Sequence, residues 1–298
     1  MTQQTEPIRC LPDHSIADLI RLALEQAARV EADHETEIPF EEDASFALTN
    51  QRDPAQVWAA LQPLRHSENV KERVLFVFIA GRLGCFERPF RDETVAVLLE
   101  MLQTETDPEL LGRIGGAFGQ LDDPRGIVPM ARLKNHPDWH VRDGVRCAMY
   151  GHVDDLAITT LIELSTDPHD WVRDWATLGL MVVDADTPAL RDALLARLAD
   201  HDAEIRGQAL IGLAERGDRR VLEPLRRELS GPFEGYWAVE AAEKLGDSSL
   251  HSVLRDLHER LVRDFSEGHE LWLDVKDALS SLPAALRACE PIRSENTP

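Results

Sequence analysis

The chain has 298 residues, 43% hydrophobic and 29% charged but only 6% aromatic, and carries a formal charge of −22 at pH 7. That length supports a substantial core, one built from Leu, Ala and Val rather than from stacked rings. The field of 54 acidic against 32 basic residues opposes phosphate backbones and anionic lipid, and favours a basic partner. The four cysteines, Cys10, Cys85, Cys147 and Cys289, have no metal or redox spacing and read as free thiols of a reducing cytosol. No apolar run precedes Pro12, and none approaches the ~18 residues a membrane span needs, so neither a signal peptide nor a transmembrane helix is expected.

In chain order, residues 1–14 read as a frayed start. Ser15 is placed to cap a helix whose apolar stripe runs from Ile16 through Leu19, Ile20, Ala23 and Leu24 to Ala27. An acidic link follows from Glu31 to Asp43. Together these form an N-terminal segment, 1–52, expected to cap the rest. Asp53-Pro54 opens the first regular helix pair, with aspartate as cap and proline in the first turn. The same signal returns at Asp107-Pro108, Asp123-Pro124 and Asp167-Pro168, with Thr187-Pro188 as a variant. Between these starts lie two kinds of helix. The first is amphipathic, as in Leu190, Leu194 and Leu198; the second is apolar around most of its circumference.

The second kind repeats. Asp138 opens D-W-H-V-R-D-G-V-R-C-A-M, His169 opens H-D-W-V-R-D-W-A-T-L-G-L, and Asp202 opens D-A-E-I-R-G-Q-A-L-I-G-L. Aligned on Val141, Val172 and Ile205, the segments recur at the roughly 30–35-residue interval of stacked helix pairs. Counting outward adds units at Val70 and Leu110 and degenerate ones near Tyr236 and Leu271. The ending A-E-R-G-D at Ala214 is echoed by A-E-K-L-G-D at Ala242. The fold class is therefore all-α, an α-solenoid (superhelix) of about six to seven helix pairs over 53–282, with a tail at 283–298.

The pattern Asp-x-x-x-x-[Val/Ile]-Arg at Asp167–Arg173 and Asp200–Arg206, with Ala176, Ala209, Gly179 and Gly212 behind it, resembles the HEAT-repeat family. It is most similar to the short bacterial repeats of the phycobilisome-lyase type. The resemblance implies a ladder of Asp167, Arg173, Asp200 and Arg206, and of Arg142, before which His136 replaces the aspartate. It also implies that second helices line the concave side. Scaffolds, pigment lyases, hydroxylases and DNA-repair enzymes all share the family, so it fixes fold better than function.

With the branched anchor numbered one, positions three, seven and ten of each second helix point away from the core. They read Glu72, Gly112, Asp143, Asp174 and Gly207; then Phe76, Gly116, Cys147, Leu178 and Ile211; then Ile79, Gly119, Tyr150, Met181 and Ala214. This is an apolar line with an acidic lip, and Trp171, Trp175 and Arg146 lie beside it. The expected partner-binding set is Glu72, Phe76, Asp143, Arg146, Tyr150, Trp171, Asp174, Trp175, Leu178 and Met181. The glycines near Leu110 admit either a partner or a close helix. His136 and His140 are separated by Pro137, and the His-Glu pairs at His34, His258 and His269 fall at unrelated repeat positions. No metal site, catalytic set or cofactor is therefore expected. The reading is a cytoplasmic, monomeric, non-catalytic scaffold for another protein, a basic one neutralised or chaperoned by the acidic lip, with no nucleic acid or membrane partner. The runner-up is a tetrapyrrole-handling protein resembling the bilin lyases, with Arg146 for a propionate; a DNA-repair protein ranks behind it.

Overall fold

The computed structural model describes residues 14–33, 43–84, 87–233, 235–264 and 272–291. The expected frayed start, the centre of the acidic link with His34, the turn at His269, and the end of the C-terminal tail lie outside the described residues. Every regular element among those residues is helical. They group into two compact units, Met1–Met149 and Tyr150–Pro298.

The first unit begins with α1 (Ile16–Asp33) and α2 (Asp43–Asn50). Ser15 accepts the Asp18 N–H at 3.1 Å, as a helix cap should. The expected link is helical at both ends, because Ala44, Ala47 and Leu48 bury a short apolar face. Three pairs follow: α3 (Pro54–Leu61) with α4 (Val70–Arg82), α5 (Arg91–Met101) with α6 (Pro108–Leu121), and α7 (Ile127–Ala131) with α8 (Trp139–Met149). The second unit holds four: α9 (Asp155–Leu164) with α10 (Asp170–Val182), α11 (Pro188–Arg197) with α12 (Ala203–Glu215), α13 (Leu222–Ser230) with α14 (Trp237–Leu245), and α15 (His251–Asp264) with α16 (Trp272–Ala288). The last helix runs past the expected boundary at 282 and takes Pro283 inside it.

The caps predicted from sequence form. Asp53, Asp107 and Thr187 each accept a first-turn N–H at 3.0–3.2 Å, contacts of the kind worth about 1 kcal/mol apiece. Asp167-Pro168 instead precedes its helix by a turn, and His169 occupies the cap. The echoed endings are helix stops: Gly217 and Gly246 both take left-handed backbone, at φ +62° and +61°.

Second helices pack on one another, α4 on α6 on α8 in the first unit and α10 through α12 and α14 to α16 in the second. Each is flanked by neighbours and backed by a first helix, so α4 is buried from Val74 to Gly81 and α12 from Gly207 to Ala214. The tightest approach is α6 on α8. A Cβ on Gly115 would stand 2.2 Å from the Gly144 carbonyl oxygen, and one on Gly112 or Gly119 would meet the His140 or Cys147 carbonyl at 2.5–2.6 Å. Those glycines serve helix packing. Gly116 alone of the group has nothing within 4 Å.

The arginine ladder forms with a different grammar from the one implied. Arg73, Arg142, Arg173 and Arg206 each donate to the backbone carbonyl six residues earlier, that of Ser67, His136, Asp167 or Asp200, at 2.8–3.1 Å. Each closes the turn before its own helix. Arg173 then reaches the Asp200 carboxylate of the next pair at 3.0 Å, Arg206 reaches Glu228 at 3.1 Å, and Arg73 reaches Glu105 at 3.1 Å. The carbonyl is the anchor, which explains why His136 can replace aspartate.

On the first helices a second motif occurs once per unit. Buried Asp123 accepts from Arg125, which also reaches Asp92, while Arg91 approaches Asp123 at 3.3 Å. Asp218, Arg220, Asp192 and Arg191 repeat the arrangement, with Arg191 at 3.5 Å.

Candidate partner-binding faces

The ladder arginine fixes the register. Aligning Arg73 with Arg142, Arg173 and Arg206 moves the α4 anchor from Val70 to Glu72, two residues later than the sequence reading placed it. Contacts agree: a Cβ on Gly81 would meet Ala117 at 2.9 Å, where the old register would put Ile79. The true position seven of α4 is Phe78, and Arg82 lies one turn on with its guanidinium 4.0 Å above the Phe78 ring. Phe76 is therefore a correction. It is 0% exposed, packed against Trp58, and cannot meet a partner. Glu72 sits half-buried in the first turn of α4.

On α8, Asp143 and Arg146 face each other at 2.6 Å, so that acid is already matched by a buried guanidinium. Cys147 follows; burial pushes its thiol up to about 11, against the pull of Arg146, Arg82 and Arg113. At neutral pH it stays protonated and is a poor nucleophile.

In the second unit the expected residues come together on α10. Trp171 is 40% exposed, and its ring lies 5.7 Å from that of half-buried Trp175. Leu178 and Met181 continue the line half-buried, and Val182, which the sequence reading missed, is 46% exposed. Trp171, Trp175, Leu178 and Val182 follow one another at helical spacing, so they form one stripe. Tyr150, 36% exposed, lies against α10 beside Gly179. Asp170 and Asp174 border the stripe. Asp170 pairs with Arg173 at 2.6 Å yet stays open to water, and Asp174 accepts from Gln208 at 2.7 Å. Gln208 is 2% exposed, and its own oxygen has no hydrogen-bond partner.

Position seven on α12 does not extend the stripe, because Ile211 is buried. Gly207 is occupied as well: a Cβ there would stand 2.4 Å from the Trp237 indole. A small cavity of about 20 Å³ remains beneath, among Gly207, Leu210, Phe233 and Trp237. Among the described residues no group of three or more His, Cys, Asp and Glu side chains gathers where a metal could be held. No described helix is long and apolar enough to cross a membrane.

Comparison with known proteins agrees with this geometry. Residues 158–242 match the family model for HEAT repeats. Protein YibA of Escherichia coli strain K12 is 39% identical over 101 residues, a match covering 34% of this chain and 36% of that protein. The chain thus spans about a third of the curated relative it matches. The X-ray structure of E. coli YibA superposes with a TM-score of 0.64 over 92% of this chain and 99% of that one, at 21% identity, which is a likeness of fold. The chain carries HEAT repeats, stacked as an α-solenoid.

Proposed function

We propose that the chain is a non-catalytic scaffold that binds another protein, a basic one, through the α10 face of its second unit. The observation that carries this reading is the stripe of Trp171, Trp175, Leu178 and Val182 bordered by Asp170 and Asp174. Partly exposed indoles beside carboxylates suit a partner that offers an apolar side chain flanked by Lys or Arg, and Trp is the residue most often decisive at such contacts. Solenoid repeats leave one face of their second helices for such binding. The charge of −22 adds long-range attraction for a basic protein and gives an acidic surface with which to neutralise or chaperone it.

The test is affinity capture from the native host, read by mass spectrometry, with wild type beside Trp171→Ala and Asp174→Asn. A basic protein retained at low salt, released by salt and lost with Trp171→Ala is the expected result. Trp171 is exposed, so the melting temperature of that variant should not move. Equal retention of the same proteins by wild type and both variants would remove α10 as the binding face.

A further inference from the structure

The second helices of the first unit depart from the charge of the whole. In α4, Lys71, Arg73 and Arg82 stand against Glu72; in α6, Arg113 against Glu109; in α8, Arg142 and Arg146 against Asp143. By contrast, α10, α12 and α14 each carry two acids against one base. In a chain of −22, two basic second helices, α4 and α8, with the balanced α6 between them, call for an explanation.

Most of these cations are spoken for. Lys71 meets Glu109 at 2.8 Å, Arg73 meets Glu105, and Arg146 meets Asp143. Arg113 is different: among the described residues it makes no hydrogen bond or ion pair, although acids outnumber bases almost two to one along the chain. It is half-buried, where an unmatched guanidinium is costly to hold. Its position is specific. Gly81 packs on Ala117, which lies one turn from Arg113, and Arg82 and Arg113 are both near enough to act on the Cys147 thiol. One turn along the same face from Arg113 is Gly116, above which nothing stands within 4 Å. On the far side, Gly119 packs on the Cys147 carbonyl, which brings position seven of α8 alongside. The result is a patch of open helix surface at Gly116 beside Arg113, with Phe78 under Arg82 on α4 and Cys147 on α8.

We infer that this open patch on the first unit binds a carboxylate, presented by an acidic side chain of the partner protein, with Arg113 as the principal donor and Arg82 as a second cation of the same face. A planar guanidinium with an unused edge matches a carboxylate in two parallel hydrogen bonds. The acidic field of the chain weighs against a polyanion such as duplex nucleic acid, which needs many cations at once, while one carboxylate needs only these. The inference rests on the protein-binding reading above and assigns it a second anchor, of opposite charge to the first.

A blocked, fluorescein-labelled tetraglutamate peptide is the probe, followed by anisotropy at low salt, with unlabelled glutarate and a short DNA duplex as competitors. Two variants attack the site by different routes. Arg113→Gln removes the donor, and Gly116→Leu covers the open surface beside it without altering charge. Each should weaken peptide binding by roughly tenfold, the scale of one charge-assisted contact. Their melting temperatures should match or exceed wild type, since Arg113 holds no partner and Gly116 faces open space. Unchanged peptide binding in both variants, or none in wild type, overturns the site. Glutarate binding as tightly as the peptide overturns the polypeptide source, and displacement by the duplex overturns the carboxylate. Trp171→Ala should leave peptide binding intact, so failure here is distinct from failure of the α10 face.

Discussion

Two neighbouring glycines on α6 have opposite roles, and alanine scanning should separate them. At Gly115 a methyl group would lie 2.2 Å from a backbone oxygen of α8, which cannot step aside as a side chain would. Gly115→Ala should destabilise by about 1–3 kcal/mol, as overpacking does. At Gly116 the same methyl meets nothing, and Gly116→Ala should stabilise by about 0.5–1 kcal/mol through helix propensity alone. Urea unfolding of both variants reads the difference in sign. Arg173 offers a second contrast. Its side chain and that of Asp200 are 7% and 4% exposed, so Arg173→Ala leaves that buried carboxylate with Arg197, at 3.2 Å, as its remaining guanidinium and should cost about 1–3 kcal/mol. Asp170, the other carboxylate on Arg173, is 68% exposed, and Asp170→Ala should cost no more than about 1 kcal/mol. Equal losses in thermal melts of the two variants would mean that the link between pairs is not what the arginine contributes.

At the scale of elements, the helix pairs are fastened by carboxylates whose ionisation folding favours. The Arg220 guanidinium, against the cost of burial, holds Asp218 down at about 2, and Arg125 lowers Asp123 in the same way. Burial works against the charge of Asp200, but the Asp202 N–H and Arg173 outweigh it and its carboxyl too lies below the usual range. An unfolded aspartate titrates near 3.9. The folded chain therefore binds fewer protons in between, and the stabilisation is complete above about pH 4 and lost as pH falls through about 2. Melting temperature should fall steeply over that window. Asp218→Asn should melt lower at neutral pH and show a shallower acid limb, and an unaltered limb would mean that this motif does not fasten the first helices. Arg216 fastens at the other end of the pairs. Its guanidinium donates to the carbonyls of Leu180, Met181, Val183, Ala185 and Gly212, closing the end of α10.

For the whole molecule, the charge of −22 makes self-repulsion a measurable term. Raising salt from about 10 mM to about 300 mM shortens the Debye length from roughly 30 Å to below 10 Å. Distant surface repulsion is screened while the buried pairs of the ladder are affected far less. The melting temperature should therefore rise with salt, and a fall would mean that exposed ion pairs dominate stability. Duplex DNA should not be retarded in a gel-shift assay at physiological salt, since 54 acidic residues oppose 32 basic ones along the chain.

Local pattern was enough to give the helix pairs, the caps at Asp53, Asp107 and Thr187 and the identity of the second helices, because those depend on residues a few positions apart, although Asp167-Pro168 proved to precede its helix. The stripe on α10 was largely legible for the same reason: Trp171, Trp175 and Leu178 share a helical face wherever that helix lies. The partner of each ladder arginine was not legible, since the carbonyl six residues back carries no side-chain signature and the next acid belongs to another pair. Nor was the register of α4, where Val70 and Glu72 are both possible anchors until the bond of Arg73 to the Ser67 carbonyl and the contact of Gly81 with Ala117 decide between them. That shift turned Phe76 from a surface residue into core. Packing also decided which glycines of α6 are filled by α8, and so left Gly116 open beside an arginine with no partner. A sequence specifies which residues share a face, but which faces remain uncovered is settled when neighbouring helices close over them.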